Sequence, residues 1–519
     1  MRIAMLSWES LHSVAVGGVA AHVSELATTL ARNGHQLHVF TRRPEGQSAH
    51  DFVDGVHYHR CMYAAHPEFV DDVNNMCRSF VDRVFEVEDF VGPFDVVHAH
   101  DWLAANAMIW IKQGRRHRTV FTIHSTEYAR CGNAFTNGRS VRVRDQERAG
   151  TYWADRIIAV SQATKDEITW MYEVPPEKVS VIHNGVNPGR FDIRTDPGAD
   201  KRRYGIGPLD PTVLFCGRLV WQKGPDLLVE AIPHVLRAHS HAKFIFLGDG
   251  EMRGALEARA RQLGVMQAVR FVGHRKGDEL IHLFKLADVV CVPSRNEPFG
   301  IVVLEAWSAA KPVVVTHNGG PAEYVRHEID GLKIYPRPDS IAWGLNTAFS
   351  DFERARRLGL NGRIALVRRF GWDTIAAQTE EVYRKVCPAP FSPVSRTSRS
   401  DLEAVEGQAA SSMAGPRRRL ATDRWRSRNG SIEVEARLLF PHSTHNGNGS
   451  ARQEAFKRIL AEQGLDVEER EDTLEVSGHI ETVLAALVKS QRIACPPKVR
   501  IVTGTRKKKS EVLAEMLEG

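Results

Sequence analysis

Two cations flank one predicted turn in the second half of the chain, and their chemistry suits an anion. The apolar run 212–216 predicts a strand, and Arg218 follows it closely. Lys223 comes next, just before Gly224 and a proline that is typical of a helix start. An arginine fork binds two oxygens, a lysine acts as a point charge, and the helix N-terminus adds its dipole. Arg218 and Lys223 are therefore predicted to neutralise a diphosphate, with a solvated surface role as the alternative for either cation alone.

Two carboxylates surround a second turn of the same kind. Glu297 lies just before a predicted helix start, and Glu305 lies more than one turn inside that helix. The first amides of a helix have no intrahelical acceptor, so those of Gly300, Ile301 and Val302 are predicted to bind a phosphate. Carboxylates accept hydrogen bonds from sugar and ribose hydroxyls. The acid and base pair of a glycosidase is the alternative, ranked lower because simple hydrolysis has no use for the nearby cations.

A glycine pair precedes the first predicted helix. The strand 2–7 leads to Gly17 and Gly18, and a helix begins near Val19. Glycine lets the backbone approach a phosphate closely, so the pair is predicted to bind part of the same ligand. An ordinary structural turn is an equal alternative. The pattern G-x-G-x-x-G is absent, which argues against a nicotinamide-dependent enzyme.

Histidines mark the ends of two further strands. His98, His100 and Asp101 stand at the carboxyl end of one apolar run, and His124 ends the next. Ligands of open parallel sheets bind beyond these strand ends. We therefore predict that His98, His100 and Asp101 bind the hydroxyls of an acceptor. A neutral His124 is predicted to hydrogen-bond a sugar, with a structural strand-end histidine as the alternative. A zinc site is ranked low because no helical H-E-x-x-H pattern accompanies these residues.

These turns need parallel sheets to position them. Strands alternate with amphipathic helices in two sets, which predicts an α/β protein with two doubly wound, Rossmann-like domains and a cleft between them. The first domain is predicted at 1–190, completed by a crossing helix at 372–387, and the second at 205–371. The predicted strands are 2–7, 36–41, 95–99, 119–124 and 156–160 in the first set, and 212–216, 243–247, 269–272, 289–293 and 312–316 in the second.

The composition changes after Cys387. Residues 388–429 are rich in Pro, Ser, Ala and Arg without apolar periodicity, which is typical of a flexible linker. Residues 430–519 return to an order of strand, helix, two strands, helix and strand, which predicts a small ferredoxin-like βαββαβ domain of unknown role. Homo-oligomer or partner contacts, or glucan binding, are candidate uses for this domain. The basic residues of the tail indicate solvated charge rather than lipid or nucleic-acid binding.

Composition fits a globular enzyme. The chain has 519 residues, of which 43% are hydrophobic, which is enough to form more than one hydrophobic core. Its net charge of +6 does not imply a nucleic-acid partner. Its seven cysteines are scattered without a C-x-x-C pair, which predicts reduced thiols. No signal peptide or transmembrane segment is recognisable, so a cytoplasmic location is expected.

Together these motifs resemble glycosyltransferase family 4, which has the GT-B fold of two Rossmann-like domains. The resemblance covers about residues 1–387 and also includes the runs Ala159-Val160-Ser161, His183-Asn184-Gly185-Val186 and Gly248-Asp249-Gly250. It implies that Arg218 and Lys223 hold the donor diphosphate and that Glu305 binds the ribose. It also implies that Glu297 contacts the transferred sugar and that His124 is the active-site histidine.

The run His98-Ala99-His100-Asp101-Trp102 further resembles glycogen and starch synthases, which favours glucosyl transfer to an α-glucan. Those synthases carry a lysine two residues before the glycine pair, where this chain has Ala15. The donor is therefore left open between UDP-glucose and ADP-glucose, with GDP-mannose as a further candidate. Mannosyl or glucosyl transfer to a lipid or small molecule is the alternative activity.

The resemblance also implies retention of anomeric configuration. No D-x-D pair is present to hold a metal, so neither a metal nor another cofactor is expected to be required. A non-catalytic sugar-binding protein is a rival, as are a nucleotide-sugar epimerase and a glucan phosphorylase. The intact set of charged residues argues against the first, and no candidate lysine for a pyridoxal cofactor stands out for the last.

Overall fold

The structure is a computed structural model that describes residues 1–132, 134–135 and 138–387. In the C-terminal part it describes five strands only. The chain divides into two compact units, Met1–Ala404 and Val405–Gly519.

The first sheet of the larger unit has its chain-order reversal at the strand that precedes the glycine pair. Its strands are β1 (Arg2–Leu6), β2 (Gln36–Arg42), β3 (His50–Val53), β4 (Val56–Cys61), β5 (Val96–His100), β6 (Thr119–Ile123), β7 (Arg156–Ala159) and β8 (Val179–Val181). They lie in the order β3-β4-β2-β1-β5-β6-β7-β8, parallel except for the β3–β4 pair. The reversal between β1 and β5 opens a crevice at the carboxyl ends of these strands.

Helices cover both faces of this sheet, because side chains alternate between the faces along each strand. The helices are α1 (Gly18–Arg32), α2 (Phe69–Val91), α3 (Trp102–Arg115), α4 (Glu127–Arg130), α5 (Gly138–Trp153) and α6 (Gln162–Tyr172). Ala4 and Leu6 of β1 pack in the core that contains α2, α3 and α5. Ile3 and Met5 pack in the opposite core, with α1.

The second sheet repeats the architecture with every pair parallel. Its strands are β9 (Thr212–Cys216), β10 (Lys243–Leu247), β11 (Val269–Gly273), β12 (Val289–Val292), β13 (Val313–Thr316) and β14 (Leu332–Ile334). Their order is β11-β10-β9-β12-β13-β14. The reversal lies between β9 and β12, which are the strands that precede Arg218 and Glu297.

The remaining helices surround the second sheet or connect it to its neighbours. They are α7 (Pro197–Arg203), α8 (Pro225–Ala238), α9 (Arg253–Gln262), α10 (Gly277–Leu286), α11 (Ile301–Ser308), α12 (Gly320–Tyr324), α13 (Pro338–Ser350), α14 (Phe352–Arg369) and α15 (Trp372–Val386). In the part of the chain that is described, no helix is both long enough and apolar enough to cross a membrane.

The last helix returns to the first sheet. Trp372, Ile375 and Tyr383 of α15 pack in the same core as Ile3 and Met5. Tyr383 is fully buried, and its hydroxyl shares a 2.7 Å hydrogen bond with Nδ1 of His98 on β5. This contact between residues distant in sequence fastens α15 to the first sheet.

Replacing Tyr383 with phenylalanine should destabilise the first sheet and its helices. The change leaves Nδ1 of the buried His98 without a partner, which costs about 1–3 kcal/mol. Urea unfolding should show a lower midpoint for the variant. Tyr152→Phe is the matched control, because Tyr152 is 77% exposed and its loss should stay within about 0.5 kcal/mol. Equal midpoints for the two variants would contradict the role given to this hydrogen bond.

The smaller unit contains an antiparallel sheet of β15 (Glu433–Leu439), β16 (Asp466–Arg470), β17 (Thr473–His479), β18 (Lys498–Val502) and β19 (Glu511–Leu513). The order is β16-β17-β15-β18-β19, and every pair is antiparallel. The first four strands therefore have the order of a split βαβ unit, and β19 adds an edge strand that was not predicted. The two predicted helices and the predicted linker lie outside the described residues.

Candidate active site

The two domains of the larger unit meet where two helix N-termini approach each other. A Cβ atom on Gly18, at the start of α1, would lie 2.5 Å from Cδ1 of Ile301, at the start of α11. A larger residue at this position would therefore require the Ile301 side chain to shift. Both N-termini point partial positive charge toward the same region, which favours an anion between the domains.

Arg218 lies at this region with no partner for its guanidinium. The side chain is exposed, and no described residue hydrogen-bonds or pairs with it. Although the residue retains solvent access, desolvation by the surrounding protein lowers its pKa most and the Arg130 guanidinium lowers it further, while the carboxylates of Glu297, Glu251 and Glu127 oppose both effects from a distance. Arg130 itself is held by Glu127 and Glu147. An unpaired arginine beside a second one indicates a place for an anionic ligand.

Lys223, in contrast, is already paired. Its Nζ lies 2.8 Å from each carboxylate oxygen of Glu297, and Ser294 Oγ donates to Oε2 of the same group at 2.9 Å. Lys223 is held by the short 3₁₀ turn Trp221–Lys223, and Glu297 follows β12. The structure thus brings these two predicted residues together, and a phosphate must share Lys223 with Glu297 or displace it.

The N-terminus of α11 is shaped by Gly300. Its φ is +87°, a left-handed conformation that favours glycine, and a Cβ there would lie 2.9 Å from Cγ of Pro321. The hydroxyl of Tyr324 donates to the carbonyl oxygens of Phe299 and Gly300. These hydrogen bonds fix the conformation of the turn. The first amides of the helix, including those of Ile301 and Val302, have no intrahelical acceptors because of their position.

Glu305 lines a cavity between α1 and α11. The cavity has a volume of ≈ 30 Å³, and His22, Glu25, Arg190 and Trp372 also line it. Burial raises the pKa of Glu305 to about 7, and Arg190 partly opposes this shift. No described residue pairs with the Glu305 carboxylate, so its oxygens are available to hydroxyl donors.

Glu9 is a residue of the glycine loop that sequence reasoning missed. Its Oε2 accepts hydrogen bonds of 2.7 Å from the backbone N–H groups of both Val16 and Gly17. Glu9 therefore fixes the glycine loop, and the amide of Gly17 is occupied by its carboxylate in this structure. Burial is the main cause that raises the pKa of Glu9, and the Asp101 carboxylate adds to it. A carboxylate eight positions before a glycine pair carries no local pattern that predicts such a contact.

Glu9→Gln should weaken donor binding by about fivefold. Hydrogen bonds to a charged acceptor are about 1 kcal/mol stronger than those to a neutral one. The neutral glutamine side chain therefore holds the loop less firmly than the carboxylate does. The donor dissociation constant, measured by calorimetry, would show the change. Glu45→Gln, at an exposed position in the loop between β2 and β3, should leave that constant unaltered. If both variants bind donor like the unaltered protein, Glu9 does not position the loop.

His98 is placed differently from the prediction. It is fully buried, with Nδ1 bonded to the Tyr383 hydroxyl and Nε2 bonded to Thr122 Oγ1 at 2.7 Å. Both ring nitrogens are therefore engaged within the protein. This geometry does not support direct acceptor binding by His98 and indicates a positioning role on β5.

His100, Asp101 and His124 lie together at the strand ends. Asp101 has a φ of +58°, a strained conformation for a non-glycine residue, and its Oδ1 accepts from the His124 backbone N–H at 2.7 Å. His100 Nδ1 lies 3.3 Å from His124 Nε2. Burial lowers the pKa of His124 to about 3, so the ring is neutral at physiological pH. A neutral ring can orient a hydroxyl but does not serve as a proton donor in its charged form.

Comparison with known protein families gives this architecture a class. Residues 16–190 match the family described as Glycosyltransferase Family 4, and residues 198–365 match Glycosyl transferases group 1. The fold and site define a nucleotide-sugar glycosyltransferase with the GT-B fold. The chain belongs to glycosyltransferase family 4, as its similarity to individual relatives also shows.

One relative is an uncharacterized glycosyltransferase of Methanocaldococcus jannaschii, 38% identical over 391 residues, which are 74% of this chain and 98% of the relative. The glycogen synthase of Mycobacterium tuberculosis is 32% identical over 399 residues, 74% of this chain and 94% of that enzyme. A D-inositol 3-phosphate glycosyltransferase of Thermobispora bispora is 31% identical over 392 residues, 71% of this chain and 89% of that enzyme.

Solved structures agree on the fold. The sucrose-phosphate synthase of Thermosynechococcus elongatus superposes with a TM-score of 0.63 at 22% identity, over 75% of this chain and all of that one. HepE of Anabaena in complex with UDP-glucose gives 0.60 at 22% identity, over 74% of this chain and 100% of that chain. These similarities confirm the predicted GT-B fold for the larger unit.

Proposed function

We propose that this enzyme is a retaining, metal-independent hexosyltransferase that moves glucose from a nucleoside diphosphate to a hydroxyl of an α-glucan. The observation that carries the proposal is the unpaired Arg218 beside the Lys223–Glu297 pair and the N-terminus of α11. A cationic region of this kind suits a departing diphosphate. Similarity to glycogen synthase over most of both chains supports the choice of acceptor.

The roles of the site residues follow from their chemistry. Arg218, Lys223 and the first amides of α11 stabilise the charge that develops on the leaving diphosphate, without reorganisation at the moment of reaction. Neutral His124 orients a hydroxyl of the transferred sugar. Glu297 contacts the same sugar once Lys223 has turned toward phosphate.

Retention follows if the acceptor attacks the face from which the diphosphate departs. The leaving phosphate then takes the proton of the acceptor hydroxyl, so no separate base is needed. His100 and Asp101, at the carboxyl end of β5, lie where an acceptor can reach the sugar. In this proposal His98 holds β5 against α15 instead of contacting the acceptor.

Donor binding requires the domains to separate. The cavity at Glu305 has ≈ 30 Å³, whereas pockets for ligands of nucleotide-sugar size are about 300–1,000 Å³. The contact between Gly18 and Ile301 therefore describes a closed arrangement. Opening about the segment near Asn187 would admit the donor, and closure would exclude water and limit hydrolysis.

The deciding experiment measures nucleoside diphosphate release. The purified chain is incubated with UDP-glucose, ADP-glucose or GDP-mannose, each with maltooligosaccharide or glycogen and with EDTA present. Acceptor-dependent release with one donor, lost in Glu297→Gln and kept in Glu257→Gln on α9, would support the proposal and identify the donor. Release that EDTA abolishes would refute metal independence, and failure of every donor to bind in calorimetry would refute the donor site.

A small-molecule acceptor is the second candidate. The D-inositol 3-phosphate glycosyltransferases among the relatives are 31% identical or slightly less to this chain. An arm of the same assay with inositol phosphate as acceptor distinguishes the two cases. Release with inositol phosphate and none with a glucan would replace the proposed acceptor while leaving the donor site intact. The cytoplasmic location and the role of residues 430–519 stay predictions.

A further inference from the structure

Three histidines from separate elements meet below the cleft. His22 comes from α1, His100 from the end of β5, and His124 follows β6. One ring nitrogen from each lies within 4.8 Å of the others. Their exposed fractions are 5%, 1% and 9%, in that order. Because burial excludes bulk water, the groups that satisfy these rings must come from the protein or from a bound species.

Among the described residues, several buried polar atoms of this cluster have no partner within good hydrogen-bond geometry. They are Nδ1 of His22, Nε2 of His100 and Oδ1 of Asn184. The Asn184 side chain interacts with both His22 and His124, but not in a geometry that satisfies its carbonyl oxygen. A buried polar atom without a partner costs about 1–3 kcal/mol, and several at one place indicate a bound species. Ordered water and a metal ion are the two candidates for this bound species.

The donor set favours a transition metal. His100 Nδ1 and His124 Nε2 share a long hydrogen bond of 3.3 Å, which is also close to the distance between two nitrogens on a tetrahedral ion with bonds of about 2.0–2.1 Å, so an ion can replace this bond without moving the rings far. All three rings have pKa values lowered chiefly by burial, so they are neutral and able to ligate. Imidazole suits zinc, copper, nickel and iron, whereas magnesium prefers oxygen.

The histidine cluster borders a cavity. His22 lines the cavity that also contains Glu305, and ≈ 30 Å³ is enough for a water-sized ligand. The cavity therefore has room beside His22 for a water molecule as a further ligand of the ion.

We propose that His22, His100 and His124 form a binding site for a first-row transition-metal ion such as Zn²⁺, and that its occupancy inhibits the enzyme. Inhibition follows because a nitrogen of His124 that ligates an ion cannot orient the sugar. This second part rests on the proposed function, whereas metal binding itself does not. Metal independence of the reaction and inhibition by zinc are compatible, because the ion occupies the place of a substrate contact.

Binding is tested on the full chain after treatment with EDTA and buffer exchange. Titration with Co²⁺ should produce visible absorption bands of a tetrahedral site, and Zn²⁺ should displace them. His22→Ala should weaken this binding by about 100-fold or more, since changes in outer-shell residues alone cost 10–100-fold. His57→Ala is the matched control, because His57 belongs to the separate histidine cluster of β2 and β4. Circular dichroism and a melting curve check that both variants fold.

The outcomes separate the two proposals. Absence of the bands, or equal loss in the two variants, would overturn the metal site and leave water as the bound species. Metal binding that His22→Ala removes would support it, and turnover of the unaltered chain should then fall with Zn²⁺ and recover with EDTA. Bands without any turnover would reject the proposed function alone. Turnover unaffected by saturating Zn²⁺ would reject the inhibitory role.

Discussion

Replacing Arg218 with alanine should lower kcat/KM for the donor by about 10²–10³-fold. This is the usual effect of removing one preorganised group that stabilises charge in a transition state. The change should leave the fold intact, because Arg218 makes no contact with a described partner that the substitution could break. Steady-state kinetics at saturating acceptor, with whichever donor the release assay selects, would measure the loss.

Two further variants make this result specific. Arg218→Lys keeps the charge but loses bidentate geometry, so it should recover only part of the activity. Arg261→Ala, on α9 with 60% side-chain exposure, removes an arginine of the same domain and should change kcat/KM by less than twofold, or ~0.4 kcal/mol. If Arg218→Ala behaves like Arg261→Ala, the diphosphate is not bound where we place it.

Sequence periodicity was sufficient for the two sheets of the larger unit. The predicted strands 2–7 and 212–216 correspond to β1 and β9, because buried parallel strands are short apolar runs between helices. The helix predicted near Val19 begins at Gly18, and the crossing helix begins at Trp372 as predicted. Short apolar strands that alternate with amphipathic helices must be buried on both faces of a sheet, and few folds other than a doubly wound parallel sheet provide this.

The strands at one side of the first sheet were harder to predict. β3 is the edge strand and β4 is its neighbour; they contain His50, His57 and His59 and lack the continuous apolar run that indicates a central strand. The residues of β3 are exposed or half-buried, so the sequence of this edge strand is less constrained. β8 and β14 have three residues each, which is too short for a periodic pattern to be recognised.

Site residues were predictable where a turn places them and not where distant chain segments meet. The cations and carboxylates beside β9 and β12 were found because parallel strands present their carboxyl ends at one edge. The pairing of Lys223 with Glu297 is a tertiary contact that no spacing encodes. The same holds for Glu9 on the glycine loop and for the contact of His98 with Tyr383.

Donor affinity should rise with pH through the pKa of Glu305, and Glu305→Ala should weaken donor binding by about 10–100-fold. A carboxylate accepts hydrogen bonds from ribose hydroxyls, and the net loss of one such charged hydrogen bond costs about 1.5–3 kcal/mol. The protonated acid has fewer acceptor sites. With a pKa of about 7, the group is mostly protonated at pH 6 and mostly ionised at pH 8. Affinity should therefore increase by up to about tenfold over this interval and then level off.

Calorimetric titration of the donor at pH 6, 7 and 8 measures this dependence, and Glu305→Gln is its control. The amide cannot ionise, so the slope attributed to Glu305 should vanish in that variant while moderate affinity remains. Glu147 and Glu167 also have pKa values raised to about 7 by burial, and they stay unaltered in Glu305→Gln. A pH slope that persists in the variant would assign the titration to those groups and remove Glu305 from the ribose site. A slope that disappears together with the expected loss in Glu305→Ala would establish that one carboxylate both binds the ribose and sets the pH range of the enzyme.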